Sequence, residues 1–394
     1  MERTANTRRT LARSGRAENL HVNLEEYEEG VSRVESLPPV LFVELTQNCN
    51  LHCRMCRSAS GYQTSLNMTD SLFELLTRDL FPYASIVDLR GWGESTVLRN
   101  LADRLTQTAL AGPRIRLVTN ALAITGSLWT MLMESGASVI VSVDAATPET
   151  MQALGRGSFE KLTRSLETGA RERDRAAGAG TIRFNTVITS LNLNEIADIV
   201  RMAAGYGVDR VTIFQVVASR SSPLHLDHRI ADLPAYLTQA EGVARESGVE
   251  LRLGASLHEE VVVDEGLPNR CSHPWEYCYI DYAGNVGYCD HLIGHSGLML
   301  GNLGNDSFDD IWNGARFQEL RSLHAKVRRG DLAEVAAPYP HCGWCYKRRY
   351  VDFEDDTNAA ATERIVSTSR MLPLLGQPVG PHSRADFMGG RKLL

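Results

Sequence analysis

A chain of 394 residues with 43% hydrophobic and 23% charged residues has the composition of an ordinary globular protein, long enough for one large α/β domain and a smaller module. Its net charge of −7 argues against a general nucleic-acid binder, which needs a basic face to neutralise phosphate, and no apolar run reaches the roughly 18 to 20 residues that span a membrane. Eight cysteines at metal-ligand spacings, with no secretory signal ahead of them, fit a reducing cytoplasm better than exported disulfides.

Residues 1–38 are polar, carry Arg3, Arg8, Arg9, Arg13 and Arg16, and end in Leu37-Pro38-Pro39, which predicts a flexible arm and a proline-turned linker. Val40 to Leu45 is a short apolar run of the kind a buried parallel strand shows. It runs into Cys49, Cys53 and Cys56 at C-x3-C-x2-C spacing. Three thiolates in eight residues fill three corners of a four-iron cluster and leave one iron open, whereas a structural zinc would want a fourth ligand nearby. Thr69 is placed to cap a helix carrying Leu72, Phe73, Leu76 and Leu80. The next strand, Ile86 to Leu89, leads into Arg90-Gly91-Trp92-Gly93-Glu94-Ser95.

Further strands are expected at 115–119, 139–143, 182–187 and 211–216, with helices such as 193–204 between them. Six βα units imply an α/β partial (βα)6 barrel with its chemistry on loops at the strands' C-terminal ends, so the cysteine loop and the Gly-Trp-Gly-Glu loop face one cavity. Residues 221–265 read as a bridge with a short strand near Val249 to Leu253. Beyond it Cys271 and Cys289 bracket Trp275, Tyr277, Tyr279 and Asp281 at period two, and a turn at Ala283-Gly284-Asn285 completes an expected β-hairpin. A helix at 308–323 precedes Cys342-Gly343-Trp344-Cys345. Four thiolates from a hairpin and a C-x2-C pair bind either zinc or a four-iron cluster, and spacing leaves both open. The expected organisation is an arm (1–38), a barrel with its bridge (39–265), a small α+β cluster-binding module (266–353) and a loose tail (354–394).

The cysteine loop after Val43-Glu44-Leu45-Thr46 resembles the radical S-adenosylmethionine (SAM) superfamily, and Gly91-Trp92-Gly93-Glu94 resembles its GGEP-type motif, with Ser95 in place of the proline. Cys271-x2-Pro274-Trp275, Gly284-x4-Cys289, Gly301-Asn302-Leu303, Ile311-Trp312 and Cys342-x2-Cys345 resemble the shortened SPASM, or twitch, domain. The resemblance implies a SAM-binding [4Fe-4S] cluster on Cys49, Cys53 and Cys56, and an auxiliary [4Fe-4S] cluster on Cys271, Cys289, Cys342 and Cys345. It also implies SAM contacts from the Gly91 to Glu94 loop, Ser142, Arg156 and Asn185, with Met55 packing near the adenine, and a flavodoxin- or ferredoxin-type electron donor.

It further implies a dehydrogenase that oxidises a secondary hydroxyl of a sugar or aminocyclitol to a ketone, with Asp290 as the general base. The leftover Cys278 is either a buried apolar residue or the hydrogen donor of an epimerase acting on the same kind of carbinol. Two further functions fit the same cysteines: peptide modification by a SPASM enzyme and, without catalysis, zinc binding in an interaction protein.

Overall fold

The computed structural model describes residues 15–56, 62–216, 218, 221–253, 271–292, 296–326, 335, 338–339 and 342. Ten strands form one sheet: β1 (Val40–Val43), β2 (Ile86–Leu89), β3 (Arg114–Thr119), β4 (Ser138–Ser142), β5 (Thr181–Ile188), β6 (Arg210–Gln215), β7 (Glu250–Leu253), β8 (Tyr277–Ile280), β9 (Asn285–Gly287) and β10 (Gly301–Asn302). Their spatial order is β10-β9-β8-β1-β2-β3-β4-β5-β6-β7. β1 to β7 are parallel neighbours, as the apolar runs predict, and β7 adds a seventh parallel strand after the helix Leu233–Ser247. Among the described residues no helix is long and apolar enough to cross a membrane.

Register sorts the side chains onto two faces, because successive residues of a strand point to opposite sides. Leu41, Val87, Ile115, Leu117, Val139, Val141, Ile182, Phe184 and Ile213 share one fully buried, apolar face. Glu44, Asp88, Arg116, Ser142 and Asn185 lie on the other, the lumen side of a partial barrel. Strand β5 shows the contrast, since Thr181, Arg183, Asn185 and Val187 are half-buried while the residues between them are buried.

Two expectations are corrected. The arm predicted to be loose contains a helix over Arg16–Glu29, which Gly30 ends in the left-handed conformation. Its buried residues are Asn19, Asn23, Glu26 and Tyr27, mostly polar: Asn19 donates to the Leu37 and Tyr83 carbonyls, and Asn23 to Ser36 Oγ (2.8 Å) and the Trp275 carbonyl (2.9 Å). A helix that docks through amides leaves no apolar stripe for periodicity to register.

The second concerns Trp275, which lies in a short helix, His273–Glu276, and not in the hairpin strand, because Pro274 sets a helical φ and the Ser272 carbonyl accepts from Trp275 and Glu276. The expected C-terminal module is joined to the barrel: its strand β8 pairs in parallel with β1, Val40 opposite Tyr277 and Phe42 opposite Tyr279, so β8 to β10 extend the barrel sheet.

The helix expected over 308–323 divides into Phe308–Trp312 and Ala315–Lys326. Gly314 allows the break, since a Cβ there would lie 2.5 Å from the Asp310 carbonyl oxygen, and Asn313 turns to bond Val34 through both its amide groups. The expected tail at 354–394 lies outside the described residues.

Candidate functional site

The cysteine loop is held from three sides. Asn48, buried at the end of β1's extension, donates to Thr46 Oγ1 (3.1 Å), Asn67 Oδ1 (2.7 Å) and the Gln63 carbonyl (2.8 Å), while its Oδ1 accepts from the Gln63 N–H (2.7 Å). Its own carbonyl accepts from the Glu94 N–H at 2.8 Å, which ties the Gly91 to Glu94 loop to the cysteine loop. From the far side the Leu154 carbonyl accepts from Arg54 N–H, and Gly155, in the left-handed region at φ 70°, brings its Cα against the His52 carbonyl.

Gly91 and Gly93 are required by packing within the protein. A Cβ on Gly91 would stand 2.3 Å from the Glu44 side chain, and one on Gly93 would stand 2.3 Å from the Thr46 carbonyl oxygen and 2.7 Å from that of Asn48. Glu94 turns inward: its carboxylate accepts from Thr96 Oγ1 (2.6 Å), Thr119 Oγ1 (2.7 Å) and the Asn120 N–H (2.6 Å), fastening the loop after β2 to the end of β3. The Glu94 side chain is therefore a clamp between the two loops, while the SAM contact expected of this loop is one of its backbone.

Cys49 is half-buried, Cys53 buried and Cys56 exposed; Cys53 and Cys56 raise the cost of ionising Cys49, and Cys56 raises that of Cys53. Burial pushes the Cys49 thiol up to about 11 and raises Cys53 as well. Iron reverses that cost by binding the thiolate, so three cysteines within one eight-residue loop fit a four-iron cluster with an open corner. Arg156 donates to Cys53 Sγ at 3.4 Å and to the Ser142 carbonyl at 2.5 Å, and pairs with the buried Asp144 at 2.9 Å. Arg156 thus reaches Cys53 in the cysteine loop. Ser142 and Asn185 lie side by side in register on the lumen face, half-buried. Met55 is partly buried and packs on the core's edge.

The second thiol set is more enclosed. Cys289 and Cys342 are each 7% exposed, Cys271 is half-buried, and Cys345 lies outside the described residues. His273 Nδ1 lies 3.2 Å and Asp290 Oδ1 3.4 Å from Cys289 Sγ, and the three side chains offer ligand atoms within 4.8 Å of one another. His324 Nε2 and the Tyr288 hydroxyl lie 3.7 and 3.8 Å from Cys342 Sγ. Buried thiols beside polar side chains fit an iron–sulfur group, and Cys271, Cys289 and Cys342 are the sulfur donors of this set among the described residues.

Cys278 is fully buried on β8 opposite Leu41, on the apolar face, and burial raises its thiol far above the usual range. Its strand neighbour Tyr279 points the other way, to Glu44 on the lumen side. Cys278 is thus placed as the small buried residue of the sheet, away from the face expected to carry a substrate.

Sequence reasoning missed Glu44, Asn120, Asp144, His273, His324 and Tyr279. Glu44 alone left a signal, an acid inside the apolar run of β1. Asn120 donates to Asn50 Oδ1 in the cysteine loop at 2.8 Å, a contact no spacing reveals.

Residues 271–346 match the SPASM family, an iron–sulfur cluster-binding domain. The chain is similar to the mycofactocin maturase MftC of Mycobacterium tuberculosis, 29% identical over 381 residues that cover 92% of this chain and 91% of that protein. Among solved structures it shares the fold of Streptococcus suis SuiB bound to its precursor peptide SuiA, with a TM-score of 0.60, 15% identity and coverage of 78% and 70%. It also shares the fold of anSMEcpe with AdoMet bound, with a TM-score of 0.56, 15% identity and coverage of 83% and 92%. The family match places an iron–sulfur cluster-binding domain where the second cysteine set is expected, and the solved structures show the α/β fold that this chain shares with them.

Proposed function

We propose that this chain, a radical SAM enzyme with a C-terminal SPASM domain, modifies a peptide substrate. The observation that carries the reading is the similarity to a maturase across 92% of the chain, which spans both cysteine sets. The fold shared with a protein captured on its precursor peptide adds to it. The sugar or aminocyclitol dehydrogenase expected from the four-cysteine set gives way to this reading. An epimerase loses its expected donor, because Cys278 faces the apolar side of the sheet.

Cys49, Cys53 and Cys56 would hold a four-iron cluster, which when bound and reduced would supply the electron for cleaving SAM to a radical able to take a hydrogen atom from substrate. The chain's own part is placement. Arg156 and Asp144 fix Cys53, Asn120 fixes the loop at Asn50, and Glu94 with Asn48 holds the Gly91 to Gly93 backbone beside the three thiols. Ser142 and Asn185 line the lumen beyond them. Asp290, next to Cys289, is the chain's candidate for taking a proton as substrate is oxidised at the auxiliary side.

The test is anaerobic incubation of the iron-loaded protein with SAM, reductant and candidate precursor peptides, followed by mass spectrometry. A peptide product formed together with 5′-deoxyadenosine supports the reading. Ketone formation from a polyol, with every peptide returned unchanged, would overturn it.

A further inference from the structure

Glu44 extends β1 on the lumen side and its side chain is fully buried. Three donors from three parts of the chain converge on it. Oε1 accepts from the Trp92 backbone N–H at 2.8 Å, and Oε2 accepts from the Tyr279 hydroxyl at 3.0 Å and the Gln47 side-chain amide at 3.2 Å. Gly91 packs so closely that any side chain there would overlap the carboxyl. A buried carboxyl is costly unless hydrogen-bonded, and this one is bonded to a ligand-loop backbone on one oxygen and to the C-terminal domain's first strand on the other.

We infer that Glu44 is a positioning residue for SAM: it sets the Gly91-Trp92-Gly93 backbone, and Tyr279 makes that setting depend on the docking of strand β8. The inference rests on reading this loop as the SAM-binding one and adds a residue to it that the motif does not contain. Trp92 N–H is held by the carboxyl and Gly91 is fitted around it, so moving Glu44 moves the loop.

Burial raises the Glu44 carboxyl to about 7, and the donations from Trp92, Gln47 and Tyr279 oppose the rise. The groups that face it are Tyr279 and Asp281 from β8 and the turn after it, Tyr282 in the same turn, and the neutral Gln47 of the cysteine loop. Asp281 and burial both favour the proton. An ionised Glu44 accepts all three donors. A protonated one turns an oxygen into a donor and gives up a partner, so the loop is held more firmly above about pH 7 than below it.

The experiment measures SAM dissociation constants by equilibrium dialysis on full-length, iron-reconstituted protein under anaerobic conditions from pH 6 to 8.5. Glu44→Gln keeps the shape and an acceptor for Trp92 but cannot ionise. It should match the wild type at pH 6 and bind about tenfold more weakly at pH 8.5, the size expected for one charge-assisted hydrogen bond. SAM's own titration is common to both proteins and cancels in their ratio.

Tyr279→Phe removes one donor to the ionised form and should move the midpoint of that ratio to higher pH with iron content unchanged. A Glu44→Gln affinity that tracks the wild type at every pH would overturn the inference. If Glu44→Gln fails to hold iron, Tyr279→Phe decides, and a wild-type profile in that variant overturns it equally. Wild-type protein that binds no SAM at any pH would instead sink the underlying reading of the loop.

Discussion

The two thiol sets are built on opposite plans. Around Cys49, Cys53 and Cys56 the holding runs from loop to loop, through the side chains of Asn48, Glu94 and Asn120 and the close approach of Gly155, with Arg156 reaching the buried Cys53; Cys49 and Cys56 remain partly open. Around Cys289 and Cys342 the side chains of His273, Asp290, Tyr288 and His324 crowd sulfurs that are nearly sealed. An open corner with a rigid frame suits a metal that must admit a ligand. A sealed one ringed by polar side chains suits a metal that exchanges electrons and has its potential tuned by its neighbours.

The contrast is broken most severely at the cysteines. Cys53→Ala should abolish 5′-deoxyadenosine formation and remove about half of the roughly eight irons that two four-iron clusters need, while Cys289→Ala with Cys342→Ala should remove the other half and leave SAM cleavage measurable. Iron analysis beside a SAM cleavage assay checks both. If either set strips all the iron, the two sites do not load independently.

Next in size is Gly93→Ala. The added methyl meets two backbone carbonyls at 2.3 and 2.7 Å, neither of which can swing aside as a side chain would. Overpacking of this kind costs on the order of 1 to 3 kcal/mol, enough to weaken SAM binding about tenfold or more with the auxiliary iron intact. Gly297→Ala, in the C-terminal region with nothing within 4 Å of the added atom, is the matched control and should be silent in the same dialysis measurement.

The smallest effect falls between the regions. Asn23→Ala removes the donor to the Trp275 carbonyl and the Ser36 hydroxyl, which should cost about 1 to 3 kcal/mol of stability in urea titration. Because Trp275 adjoins the second thiol set, auxiliary iron should be lost at lower urea than iron at Cys49, Cys53 and Cys56. Simultaneous loss would show one cooperative unit where the comparison has two.

What sequence makes legible follows the same division. Strands β1 to β6 are legible because each is a short apolar run, and the cysteine loop because its three sulfurs are eight residues end to end. Thr69 is legible as a cap, and it does accept from the Leu72 N–H. The partners of those sulfurs are not legible, since Arg156 lies 103 residues from Cys53 and Asn120 lies 70 from Asn50. The docked helix Arg16–Glu29 escapes for a different reason. Its buried side chains include amides and an acid, which composition assigns to solvent.

The parallel pairing of β8 with β1 has a consequence for how the molecule is made. Glu44 and its partner Tyr279 are 235 residues apart in sequence, so the first strand leaves the ribosome long before its second neighbour exists. At 5 to 20 residues per second, β1 waits roughly 10 to 50 seconds with one edge bare. For most of that interval the first three thiols are already synthesised and none of the second set is. A nascent chain can therefore meet an iron donor at the first site while the strand that brings Tyr279 to Glu44 is still to be translated.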